Sequence, residues 1–208
     1  MMKELITFDT LPEKASIDGA EYPIGFGYRT MMAIEMEIYS DHNDEQKLLN
    51  ALNLFYLGNI PQDVIAAVDY MMWFFRGGKE TKKEKSEPAS GLRKTRRGYC
   101  FEQDASLLYA AFRQQYGIDL RRTKNLELHW WEFLALFEAL DEGTKLAKVI
   151  YWRTCPLKDM SKKQKKYIQK MRSLYALKEP ENTMDAKVKL AQRNAKMKEY
   201  VRKRMEES

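Results

Sequence analysis

Apolar residues recur at steps of three and four through most of the 208-residue chain, the spacing of amphipathic helices, and alternate with polar ones only in a short stretch near the start. That stretch carries Ala15-Ser16-Ile17, then Asp18-Gly19, then Glu21-Tyr22-Pro23-Ile24. It predicts a small hairpin closed by a type I′ turn, with positive φ at both central residues. Pro23 cannot donate to a ladder, so its strand lies at an edge and the sheet stops at two or three short strands. Helices follow. A run from about Tyr28 to Tyr39 carries Met31, Met32, Ile34, Met36 and Ile38 and ends at the turn-rich Ser40-Asp41-His42-Asn43-Asp44. The next places Leu48, Leu49, Leu52, Phe55 and Tyr56 on one face before Gly58-Asn59. Pro61 is predicted to open the third at a first-turn position, and that helix runs through Val64, Ile65, Val68, Met71 and Met72 to Trp73-Phe74-Phe75.

Between residues 79 and 98, KETKKEKSEPASGLRKTRRG has one large aliphatic residue, Leu92, too little apolar surface to offset the entropy of ordering the backbone. A mobile basic linker is expected. Beyond it the pattern predicts a helix from about Gln103 to Tyr116, closed by Gly117, and another from His129 to Leu140. Thr144 is placed to cap a helix running from Lys145 to Arg153, which should fold back on its predecessor as a hairpin. Ser161 is placed to cap a basic amphipathic helix carrying Tyr167, Ile168, Met171, Leu174 and Tyr175. After Glu179-Pro180-Glu181-Asn182, a last helix from about Thr183 carries Met184, Val188, Ala191, Ala195, Val201 and Met205. The expected fold class is mainly α: a helical bundle with a small N-terminal β-hairpin and a basic mobile linker. Four segments follow from this reading: 1–78, acidic hairpin and helices; 79–98, linker; 99–177, apolar helical core; 178–208, basic C-terminal helix.

Charge sharpens that division. Net charge is +6, yet residues 1–78 hold 5 basic against 12 acidic side chains, 79–98 hold 8 against 3, 99–157 hold 7 against 8, and 158–208 hold 16 against 7. The basic segments suit an anionic partner, but no helix-turn-helix, zinc-finger or ribonucleoprotein pattern accompanies them, so nucleic acid is not the expected one. No apolar stretch reaches the roughly 20 residues of a membrane span, and none resembles a signal peptide; a cytosolic protein without membrane contact is expected.

Candidate chemistry is sparse. His129 and Glu132 share one helix face and His42 sits beside Asp41 and Asp44, but two distant histidines do not make the three or four convergent ligands a metal needs. Cys100 and Cys155 lie in no CxxC context and read as half-buried thiols. Phosphate-loop, dinucleotide, nucleophile-elbow and zinc-protease motifs are absent. No metal and no cofactor is expected.

The aromatic run Leu128-His129-Trp130-Trp131-Glu132-Phe133-Leu134-Ala135-Leu136-Phe137 offers more. Trp130, Phe133, Leu134 and Phe137 share a face, and burying side chains of this size contributes roughly 1.5–3 kcal/mol each, which favours a core role. Trp131 lies on another side, so the helix requires contact on two sides, from its own fold or from a partner. The candidate protein-binding residues are therefore Trp130, Trp131, Phe133 and Phe137, with Trp152 nearby in sequence. Met184, Val188 and Met205 extend them as an adaptable stripe in the tail.

Glu21-Tyr22-Pro23-Ile24, Tyr28-Arg29-Thr30, Leu107-Leu108-Tyr109-Ala110-Ala111-Phe112, Gln115-Tyr116-Gly117-Ile118-Asp119-Leu120, Leu128-His129-Trp130-Trp131 and Trp152-Arg153-Thr154 together resemble the phage gene-product-fifteen family of tailed phages and prophages of Gram-positive bacteria. The resemblance runs from about Phe8 to Leu177. It implies a gene in the tail morphogenesis module, typically between those of the major tail protein and the tape measure protein, and hence a tail assembly chaperone. No catalytic residue carries over, so the expectation is a non-enzyme. Its expected partner is the tape measure protein, with a second tail assembly chaperone and homo-oligomerisation left open. Its expected location is the cytoplasm of the infected or lysogenic host, outside the mature virion. A structural tail component and a basic nucleic-acid-binding accessory protein are the alternative classes.

Overall fold

A computed structural model describes residues 10–79 and 97–178 of the chain. β1 (Lys14–Ile17) and β2 (Ala20–Pro23) pair antiparallel, Lys14 opposite Pro23 and Ile17 opposite Ala20. Asp18 and Gly19 have φ of 51° and 77°, the left-handed pair that a type I′ turn requires. Ala15 and Ile17 point inward and Lys14 and Ser16 outward, so the alternation read from the sequence is realised.

Three helices follow: α1 (Tyr28–Ile38), α2 (Asp44–Phe55) and α3 (Val64–Phe75). Asn43 caps α2 by accepting from the Gln46 N–H, and Asp63 caps α3 by accepting from the Ala66 N–H. Pro61 is therefore not a first-turn residue. It is buried in the approach to α3, and Asp63, two residues later, supplies the acceptor at which the helix starts. α1 packs along α2, α2 meets α3, and α3 lies on β1.

In the second half, α4 (Ala105–Tyr116) ends at Gly117 with φ 71°, and a 3₁₀ turn (Asn125–Glu127) leads into α5 (Trp130–Glu138). Thr144 caps α6 (Lys145–Thr154), and Ser161 with Gln164 forms a capping box on α7 (Lys162–Leu174). The predicted hairpin of α5 with α6 is not the packing adopted: α6 lies against α4 and α7. The reason lies in Arg153 and Asp104, whose ion pair ties the end of α6 to the start of α4.

The main core does not belong to residues 99–177 alone. One buried cluster joins Ile24, Tyr28, Met31, Phe55 and Phe74 from the first half to Phe112, Trp130, Trp131 and Phe133 from the second. Phe133 sits at its centre, stacked on Tyr28 at 5.8 Å, Phe112 at 5.0 Å and Trp130 at 5.4 Å between ring centroids. A smaller cluster of Val149, Trp152, Cys155 and Ile168 seals α6 to α7.

The described ends of the expected mobile linker are docked. Lys79 pairs with Glu138 at 2.9 Å, Arg97 pairs with the buried Glu35, and the Gly98 carbonyl accepts from Arg153. The rest of that linker, 80–96, and the predicted last helix lie outside the described residues.

Candidate partner-binding surface

The aromatic helix is core on both sides, which corrects the reading of it as a partner face. Trp130 and Trp131 are each 1% exposed and Phe133 is fully buried. Phe137 is half-buried against Tyr99 and Phe101. The second contact that Trp131 requires comes from α3: its ring lies 5.3 Å from Trp73 and 5.6 Å from Phe74. Both indoles also donate to the carbonyls that end α3, Trp130 to Phe75 and Trp131 to Phe74, each at 2.9 Å; the first supplies a partner to a carbonyl at the helix C-terminus, and the second adds to the bond that the Phe74 carbonyl accepts from the Gly77 N–H. Trp152 is buried at the α6–α7 contact. Met184, Val188 and Met205 lie outside the described residues.

His129 is likewise structural. It caps α5: its Nδ1 accepts from the Trp131 N–H at 3.0 Å, and the Glu132 carboxylate accepts from the His129 N–H at 2.9 Å. Because Nδ1 is an acceptor, the proton sits on Nε2, which donates to the Pro12 carbonyl at 3.1 Å. Burial holds this imidazole below the ordinary histidine range, against the opposing pull of the Pro12 carbonyl and of Glu132 and Glu13. His42 pairs with Glu37 at 2.6 Å, an interaction that lowers the Glu37 carboxyl. Among the described residues no group of three or more histidine, cysteine or acidic side chains is arranged to hold a metal ion, and no helix is long and apolar enough to cross a membrane.

The motif Tyr28-Arg29-Thr30 joins the two halves. The Tyr28 hydroxyl donates to the Leu120 carbonyl at 2.6 Å, Arg29 Nη2 donates to the carbonyls of Leu120, Arg121 and Thr123, and Asn125 Oδ1 accepts from the Arg29 N–H at the start of α1. A Cβ on Gly27 would lie 2.3 Å from the Asn125 backbone oxygen, so only glycine allows this approach.

With the tryptophans consumed by the core, an open groove of about 700 Å³ remains at the end of α1. Ala33, Met36, Tyr39 and Leu54 form its apolar part, and Glu37, Asp41, Arg97, Glu102 and Lys178 its charged part. Met36 is 41% and Tyr39 43% exposed, on the same helix whose Met31 and Ile34 are buried. The Arg97 guanidinium lies 3.4 Å over the Tyr39 ring and also pairs with Glu35. Burial pushes the Glu35 carboxyl up, and Arg97 opposes the shift. Neither arginine's anchoring role is signalled in the sequence: Arg97 lies in the expected linker, and Arg153 stands only at the end of a predicted helix and in the Trp152-Arg153-Thr154 motif.

The profile of the Bacteriophage Gp15 protein family matches residues 7–177. The chain belongs to this family. Comparison with curated proteins and with solved structures finds no match. Membership places the chain among bacteriophage proteins, in a family not known for enzymes. The matched span takes in the docked arginines and the whole shared core, and ends just past α7.

Proposed function

We propose that this Gp15 family member is a tail assembly chaperone, a non-catalytic protein that binds the tape measure protein and keeps it soluble during tail morphogenesis in the host cytoplasm. The observation that carries the reading is the groove beside α1. Met36, Tyr39 and Leu54 offer apolar contact there, and methionine adapts to varied helix surfaces. A tape measure protein is a long helical chain whose apolar stripes need cover before the tail tube encloses them. An amphipathic client helix laid into this groove would bury both partners' apolar faces, with Glu37, Asp41 and Glu102 at the margin to fix its orientation.

The test is co-expression with the tape measure protein of the same phage, followed by size-exclusion chromatography read at protein and nucleic-acid wavelengths. A soluble, co-eluting, nucleic-acid-free complex is the expected result. A tape measure protein that stays insoluble, while this chain elutes alone or with nucleic acid, overturns the reading. Mass spectrometry of purified virions separates a chaperone, absent from particles, from a structural tail component, which is retained.

A further inference from the structure

The α6–α7 face differs in charge from the groove and takes no part in it. Between residues 145 and 174 there are 10 basic side chains and one acidic, Asp159. The two arginines within these helices are turned inward: Arg153 pairs with Asp104, and Arg172 donates to the carbonyls of Trp152 and Cys155. What α7 presents to solvent is lysine, and among the described residues no ion pair involves a lysine of α7.

These lysines are not scattered. Taking the buried Ile168 as the inward direction, a turn of 100° per residue places Tyr167 and Leu174 about 20° apart on one flank. Lys163 and Lys170, two turns apart, follow on the same flank about 20° from each other, and Lys166 lies between them along the axis and just beyond them around the helix. The face therefore consists of an apolar line two turns long, bordered by a parallel line of ammonium groups. Both apolar members are open, Tyr167 51% and Leu174 65% exposed, although Tyr167 has its inner edge against Trp152.

We propose that this face of α7 docks an acidic amphipathic helix of another protein, its apolar stripe on Tyr167 and Leu174 and its carboxylates against Lys163, Lys166 and Lys170. Charge complementarity selects the occupant. A neutral helix would leave the ammonium row without partners, and residues 179–208, with 8 basic and 6 acidic side chains, carry the same sign as the face. Nucleic acid is the less suited class. It has no use for a Leu174 exposed in line with Tyr167, and α7 offers no outward arginine for bidentate phosphate contacts. The surface is separate from the groove, so the proposal holds whether or not the tape measure protein is the client.

The experiment uses the full chain and three fluorescein-labelled probes: a designed helix with leucine at a and d positions and glutamate elsewhere, the same composition with the leucines scrambled, and a 20-base-pair DNA duplex. The amphipathic probe is expected to bind at least tenfold more tightly than the scrambled one. Leu174→Ser should weaken it about tenfold, and the triple variant Lys163→Glu, Lys166→Glu, Lys170→Glu should abolish it. All four side chains are exposed, so far-ultraviolet circular dichroism should report an unchanged fold. Equal binding of both peptides, tighter binding of DNA, or indifference to Leu174→Ser each overturns the proposal and leaves only a general polyanion surface.

Discussion

Arg153 and Asp104, 49 residues apart, meet as a buried two-pronged ion pair, Nη1 to Oδ2 at 2.6 Å and Nη2 to Oδ1 at 2.9 Å. Asp104 also accepts from the Cys100 N–H, and Arg153 donates to the carbonyls of Gly98 and Tyr175. One guanidinium thus ties together the end of the basic connector, the start of α4, the end of α6 and the residue following α7. Asp104→Ala strands this cation in the interior and should cost roughly 3–5 kcal/mol. For a chain of this size that is a drop in Tm of roughly 10 °C. The double variant Asp104→Ala, Arg153→Met should recover part of the loss, because the unpaired charge has gone. Thermal unfolding of the three proteins checks this, and a double variant less stable than Asp104→Ala would refute the account.

His129 gives stability a pH dependence of known sign. Its folded form must be neutral at Nδ1 to cap α5, and burial lowers its pKa below the unfolded value. The unfolded chain therefore takes up the proton first, so the contribution is complete above about pH 6.5 and is lost as pH falls through the folded value. His129→Asn keeps a side-chain acceptor for the Trp131 N–H but cannot titrate. It should cost about 1 kcal/mol at pH 7.5 and should flatten the decline between pH 7.5 and 5.5. Urea unfolding of both proteins at the two pH values decides it; parallel declines would exclude His129 as the source.

Substitutions at the aromatic helix and at the groove should separate folding from client binding. Trp131→Ala removes a ring packed on Trp73 and Phe74 and should cost roughly 3–5 kcal/mol. Trp131→Asp adds a buried charge and should abolish cooperative unfolding. Met36→Ser with Tyr39→Ser, both at exposed positions, should leave near-ultraviolet circular dichroism close to the parent while lowering the yield of soluble tape measure protein. An undiminished yield from a folded double variant would move the client away from the groove.

Gly27→Ala should be costly although the residue is small. The new methyl would stand 2.3 Å from both the backbone oxygen and the side-chain oxygen of Asn125, so rotating the side chain relieves only half the clash. A penalty of roughly 1–3 kcal/mol is expected, and Asn125→Ala in the same chain should not restore it. Tyr28→Phe, which removes the donor to Leu120, should cost about 1 kcal/mol in the same unfolding assay.

The elements of this protein were legible in the sequence because their signals are local. Asp18-Gly19 supplies two left-handed residues, Gly117 ends α4, and Thr144 and Ser161 provide acceptors within three residues of the N–H groups they satisfy. Spacing also sorted each helix into faces. It did not say what would cover them. Met31 and Met36 lie on one helix, yet the first is buried in the core shared by both halves of the chain and the second lines a groove. Trp131 read as a surplus aromatic because its cover, α3, lies 57 residues away in sequence; its indole meets the Phe74 carbonyl only after the chain has folded. The same holds for the arginines, since Arg97 reaches Glu35 across 62 residues and Arg153 reaches Asp104 across 49. Helix positions and caps follow from neighbours along the chain. Which aromatic is core, which charge is buried and which apolar patch stays open follow from contacts between segments, and those the tertiary structure alone decided.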